Sequence, residues 1–241
     1  MQGRSEIYVE IDMSTSHPTM LQTRLASVGK RVPLIDDWVR DKNATSAEFS
    51  AEVLERHQLF KPTEDVKELV LAMINGANVE KWMREKWGVQ GAPPKLARFA
   101  KDMQTVRANV HVWFPDGWSS TVGAGSDWKR RNRAVHFLMT SLEDEVLEVM
   151  REALPKFGVE CNALTGDGLL ARPTCEVATP MPAVLEALAG EVLSRTGVAV
   201  KLAGKTLDGK KASEWPTRVF ASSASDSSAG FRLAEFCSGD G

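Results

Sequence analysis

The chain has 241 residues, 43% of them hydrophobic and 26% charged, and a formal net charge of −2. That length buries a real core in one moderate domain or two small ones, and the composition excludes disorder, a collagen-like repeat and a disulfide scaffold. No run of about 18 apolar residues occurs, which excludes a helical membrane protein. The opening MQGRSEIYVEID does not read as a signal peptide. Cys161, Cys175 and Cys237 are odd in number and lack CxxC spacing, which points to reduced thiols in an intracellular setting rather than a zinc site.

In chain order, Glu6–Met13 alternates apolar and polar residues and reads as a strand. A helix is expected from Thr19 to about Val28, with Pro18 near its first turn and Gly29 as its stop. Thr45–His57 reads as a second helix, capped by Thr45 or Ser46. Thr63 caps a third, TEDVKELVLAMI, with acids in the first turn and a break at Asn75-Gly76. The amphipathic piece VEKWMREKW follows, and Gly91–Pro94 is a loop. Asn109–Phe114 reads as a strand, Pro115-Asp116-Gly117 as a turn, and Trp118–Val122 as the returning strand of a hairpin. A long helix is expected from about Trp128 to Ala153. A second hairpin follows, Val159–Leu164 and Leu169–Val177 around Gly166-Asp167-Gly168. Pro182–Arg195 is a helix, Val198–Leu202 a strand, and the Ser/Ala/Gly-rich tail from about Ser222 is expected to be disordered.

The near-neutral charge conceals two blocks. Residues 80–133 carry eleven basic and five acidic side chains, a local +6, and residues 141–191 carry ten acids against three basic residues, a local −7. A basic middle can hold a polyanion and an acidic stretch can hold metal ions; both are equally the pattern of solvated helix faces. The order helix, hairpin, helix, strand over residues 128–202, preceded by the strand at 6–13, is that of a ferredoxin-like split β-α-β sheet. The expected fold class is therefore α+β, with about 100 mostly helical residues inserted after the first strand. In such a sheet Asp12, closing the first strand, and Asp167, at the hairpin tip, lie on neighbouring strands. Two carboxylates meeting at a sheet edge suit two Mg²⁺ ions.

The motifs then carry a resemblance. DMSTSHPTML at 12–21 resembles motif A of DNA polymerases, a hybrid of the family A and family B forms. VKELVLAMINGA at 66–77 is similar to motif B, placing Lys67 and Gly76 at its lysine and glycine. WKRRNRAVHFLMTSLEDEVLEVM at 128–150 resembles the long palm helix, VECNALTGDGLLAR at 159–172 motif C, and GVAVKLAGKTLDGKKASEW at 197–215 the last palm strands. Together they resemble the palm and fingers core of family A, the DNA polymerase I type, over roughly residues 6–215. The sequence departs from that pattern at Gly168, where motif C has a second carboxylate, at Asn75, where motif B has an aromatic, and at Thr63, where it has an arginine.

The resemblance implies a template-directed DNA polymerase, a nucleotidyltransferase whose partners are a DNA primer-template and deoxynucleoside triphosphates. Residues 1–35 and 106–221 would form the palm, 36–105 the fingers, and 222–241 the tail. Asp12 and Asp167 would bind both Mg²⁺ ions, helped by the Met13 carbonyl. Lys67 would reach the triphosphate, and His17 would lie beneath the sugar. Arg131, Arg133, His136 and Asn75 would contact nucleic acid. At 241 residues the chain is short for a whole polymerase, which implies a core without its usual attachments. The alternative is a non-catalytic nucleic-acid-binding protein on a ferredoxin-like sheet.

Overall fold

The computed structural model describes residues 8–54, 64–120, 126–174, 177 and 179–216. Glu6 and Ile7, the Thr63 cap, Thr121 and Val122, Cys175, Cys237 and the tail from Ser222 lie outside the described residues.

The strands are β1 (Val9–Ser14), β2 (Val159–Thr165), β3 (Gly168–Pro173), β4 (Lys201–Lys205) and β5 (Lys211–Ala212). They form one antiparallel sheet in the order β2-β3-β1-β4-β5, so the first strand is central. Its alternation explains why it can be both core and site. Val9, Ile11 and Met13 are buried, and Glu10 and Asp12 point to the other, partly open face.

Two long helices close the buried face. In α8 (Asp127–Ala153), Val135, Leu138, Met139, Leu142 and Val146 recur at the three-and-four spacing of one helix stripe and are buried. In α9 (Met181–Thr196) the same spacing buries Met181, Val184, Leu188 and Val192, and left-handed Gly197 at φ 73° ends the helix. α8 packs on β2 and β3, and α9 on α8 and β4.

Between β1 and α8 the described chain is helical. It comprises α1 (Ser16–Ser27), α2 (Pro33–Arg40), α3 (Lys42–Leu54), α4 (Glu64–Ile74), α5 (Val79–Trp87), α6 (Pro94–Trp113) and α7 (Pro115–Ser120). Trp38, Phe49 and Phe99 are its largest fully buried side chains. Arg107 of α6 is buried and donates to the Met73 carbonyl and, at 3.0 Å, to that of Ile74. It thereby satisfies acceptors that the end of α4 leaves open. Burial pushes its guanidinium down to about 10, so it stays charged at neutral pH.

Three expectations are corrected and one helix is added. Where a strand is expected over Asn109–Phe114, Asn109–Trp113 is the last part of helix α6 and Phe114 caps it. Its buried residues, Phe99, Met103, Val106 and Val110, follow a helical period, and Val112 is 64% exposed where a strand would bury it beside Val110. Pro115-Asp116-Gly117 opens α7 instead of turning a hairpin, because proline suits a first helical turn. The last expected strand, Val198–Leu202, begins three residues later at Lys201, since Val198 and Val200 are buried in the connection from α9. Residues 33–40, unassigned in the sequence reading, form α2, with Pro33 in the first turn and Ile35 and Trp38 buried three apart.

The acidic block resolves largely into ion pairs between exposed faces. Glu152 meets Arg195 at 2.7 Å, Glu191 meets Lys156 at 3.1 Å, and Glu145 meets Arg24 at 3.5 Å. Among the described residues, no helix is long and apolar enough to cross a membrane.

Candidate active site

The site is assembled where β1 leaves the sheet. Asp12 pairs with Gly168 of β3 on one side and with Ala203 of β4 on the other. The turn joining β2 and β3 is Gly166-Asp167, with Gly166 at φ 59°, the positive value such hairpins demand. The Met13 N–H donates to the Asp167 carbonyl at 3.1 Å, which ties the turn to the end of β1. From the start of α1, Ser16 Oγ donates to Asp167 Oδ2 at 3.3 Å. Between strand and helix, Thr15 is left-handed at φ 57°. A threonine held there stores about 1–3 kcal/mol of strain, a cost that clusters at functional turns.

Asp12 and Asp167 therefore face one another. Burial holds the Asp12 carboxyl above its usual range; the Lys205 ammonium opposes that shift, and the charge and hydrogen bond of Asp167 add to it. Lys205 on β4 donates from Nζ to Asp12 Oδ2. Lys42, at the start of α3, is held below the usual lysine range by burial and by the nearby charges of Lys67 and Lys205. With Lys67 from α4, these groups line one cleft of about 540 Å³ together with Trp38 and Glu143.

Glu143 reaches the cleft from the middle of α8. Its Oε2 lies 3.6 Å from His17 Nε2, and its buried Oε1 has no hydrogen-bond partner among the described residues. The His17 ring also meets the His136 ring edge-on at 5.9 Å. Glu143 raises the His17 pKa against the effect of burial. A histidine raised in the folded state contributes stability that is present in full below its unfolded value, about 6.5, and is lost as pH rises through the folded value. Thermal melts across pH 6–8 should show that loss in the native chain, and His17→Gln should remove the step; an unchanged profile in the variant would disprove the pair.

Of the residues expected from sequence, Asp12, Met13, His17, Lys67 and Asp167 line this cleft. Arg131 instead lines a separate cavity of about 840 Å³ with Gly76, Arg107 and Trp128, and pairs with Asp127 at 2.7 Å. Asn75 and Arg133 are exposed at the end of α4 and on α8, and His136 touches the site through His17. Sequence reasoning missed Lys42, Lys205, Ser16, Trp38 and Glu143. Ser16 stood inside the motif A segment and Glu143 inside the acidic end of the long helix. Lys205 stood inside the segment resembling the last palm strands, with no role assigned to it, and nothing local marked Lys42.

Among the described residues, no group of three or more His, Cys, Asp and Glu side chains could hold a metal ion. Two close carboxylates nonetheless fit Mg²⁺, which takes hard oxygen ligands and is held by one or two protein carboxylates with water and substrate phosphates supplying the rest.

No protein-family model matches the chain, and no curated protein matches it. Among solved structures the chain is similar to the POL domain of Pol1 from M. smegmatis in complex with DNA primer-template and dNTP, at a TM-score of 0.56 and 9% identity. The match covers 87% of this chain and 40% of that chain, so this chain spans less than half the length of that neighbour. At that identity the likeness is one of fold alone, between that neighbour and a mixed α+β chain that is mostly helical around a five-stranded antiparallel sheet.

Proposed function

We propose that this chain is the palm and fingers core of a template-directed DNA polymerase of the family A type, acting on a DNA primer-template and deoxynucleoside triphosphates. The observation that supports it most is the meeting of Asp12 and Asp167, from segments 155 positions apart, in a cleft that also gathers Lys42, Lys67 and Lys205. The strand order supports the reading of the sheet as a ferredoxin-like split β-α-β palm, with residues 36–105 as fingers.

In this reading Asp12, Asp167 and the Met13 carbonyl hold two Mg²⁺ ions. When bound, these would activate the primer 3′-hydroxyl and stabilise the charge on the leaving pyrophosphate. Lys67, exposed on α4 and lining the cleft, takes the triphosphate, with Lys42 beside it. An ammonium here is apt, because negative charge is transferred to the leaving group. His17, fixed from two sides by Glu143 and His136, lies under the sugar. Arg131, Arg133, His136 and Asn75 contact the nucleic acid.

The test is primer extension by the purified full chain with Mg²⁺. Template-dependent extension that is lost on replacing Asp12 or Asp167 is the expected result. Extension that survives both replacements overturns the site. DNA binding without extension, indifferent to either replacement, favours the non-catalytic binding protein. Lys67→Ala should raise KM for the incoming nucleotide by about tenfold, the scale of one charge-assisted contact. An unchanged KM would remove Lys67 from the triphosphate.

A further inference from the structure

Lys205 is placed by the sheet, but not opposite its partner. The β1–β4 register sets Lys205 across from Glu10, and Asp12 across from Ala203. Glu10 is engaged elsewhere, accepting from Thr165 Oγ1 at 3.1 Å. The Lys205 ammonium runs diagonally to Asp12 Oδ2 instead. Four residues earlier on the same face, Lys201 does something different. Its amine donates to the carbonyls of Val39 and Arg40 at 3.0 and 3.2 Å, binding the end of α2 to the sheet.

Two carboxylates held together and partly shielded from water repel, and a cation beside them relieves that repulsion. Lys205 supplies it through one oxygen of Asp12. The ammonium is also the partner more able to leave: its side chain is 38% exposed against 15% for Asp12, and it sits on a flexible four-carbon stem. An ammonium and a divalent ion on the same carboxylate oxygen repel at such range, so each weakens the other's hold.

We infer that Lys205 is a tethered cation that holds the place of a divalent metal ion on Asp12 while the site is unloaded, and that metal loading displaces it. This rests on the reading of Asp12 and Asp167 as metal ligands. Lys205 keeps the two carboxylates together without metal and sets a threshold that the metal must exceed.

The test uses the full chain and Mn²⁺ alone, with free Mn²⁺ read by electron paramagnetic resonance and folding by circular dichroism. Lys205→Gln should bind Mn²⁺ about tenfold or more tightly, the scale of one hydrogen bond to a charged group. Saturating Mn²⁺ should raise its melting temperature more than that of the native chain. Lys205→Arg, which keeps the charge, should stay near the native affinity, and Asp12→Asn added to Lys205→Gln should abolish the gain. Affinity unchanged or weakened in Lys205→Gln, or no Mn²⁺ binding by either protein, overturns the inference. So does a gain that survives Asp12→Asn. Primer extension separates the two ideas. Tighter Mn²⁺ binding in a chain that extends no primer leaves the role of Lys205 standing and removes the polymerase reading. Extension with unchanged Mn²⁺ affinity does the reverse.

Discussion

Asp12→Asn should lower primer extension by about 10³-fold or more while leaving the chain folded. The magnitude follows from the several kcal/mol of transition-state stabilisation that a metal-holding carboxylate supports, at 1.36 kcal/mol per factor of ten. The stability side has the opposite sign. Burial, and then Asp167, hold the Asp12 carboxyl above its usual range, and Lys205 only partly offsets them. A carboxyl raised in the folded state costs stability at neutral pH, and the cost fades as pH falls through the folded value toward the unfolded one. Asparagine carries no charge, so the variant should melt at or above the native temperature at pH 7 and lose that acid-side gain. Lost extension with retained stability identifies a catalytic carboxylate. Loss of both in parallel would make Asp12 a structural group and sink its proposed role.

Gly168→Ala should have a large effect on both folding and activity although it lies outside the cleft lining. A Cβ at this position would stand 2.6 Å from the Ile11 main-chain oxygen and 3.2 Å from the Asp12 Cα. Neither can swing aside as a side chain would, so β1 and β3 must part at the very pair, Asp12 with Gly168, that sets the two aspartates face to face. Such overpacking costs about 1–3 kcal/mol, and each kcal/mol lowers the melting temperature of a chain this size by about 2–4 °C. Displacement of the reacting groups by about 1 Å should cost on the order of a hundredfold in extension rate. Gly190→Ala is the control. It lies within α9 with nothing inside 4 Å of the added Cβ, so it should stabilise the chain by about 0.5–1 kcal/mol. Equal melting temperatures for the two variants would show that β1 and β3 separate freely.

The parts that could be read in the sequence are those where one short-range signal decided. β1 declared itself by alternation, α8 and α9 by their apolar stripes, and the β2–β3 hairpin by its glycine-rich turn. Asp12 and Asp167 were legible because each stood at the end of such an element. Residues 109–114 failed for the same reason that these succeeded. Six residues with alternating apolar side chains fit a strand, and only the longer spacing back to Phe99 reveals a helix. Lys205 was out of reach in a different way. Its contact depends on where β4 lies, which starts three residues later than the expected Val198–Leu202, and on a diagonal reach that no spacing encodes. Lys42 depends on where α2 and α3 lie against the sheet, and α2 itself was not expected.

The central position of β1 also bears on how the chain comes together. β1 is the first described strand, yet its neighbours are β3 at Gly168–Pro173 and β4, which pairs Ser14 with Lys201 and Glu10 with Lys205. Both its edges must wait for the last third of the chain, with separations from 156 residues (Asp12 to Gly168) to 195 (Glu10 to Lys205) to close before both ladders are complete. Such non-local pairing slows folding and leaves a Val-Ile-Met strand uncovered in the interim, the kind of edge that recruits other chains. Refolding yield should therefore be limited by protein concentration, and the aspartate pair becomes a marker of the last step of folding rather than the first.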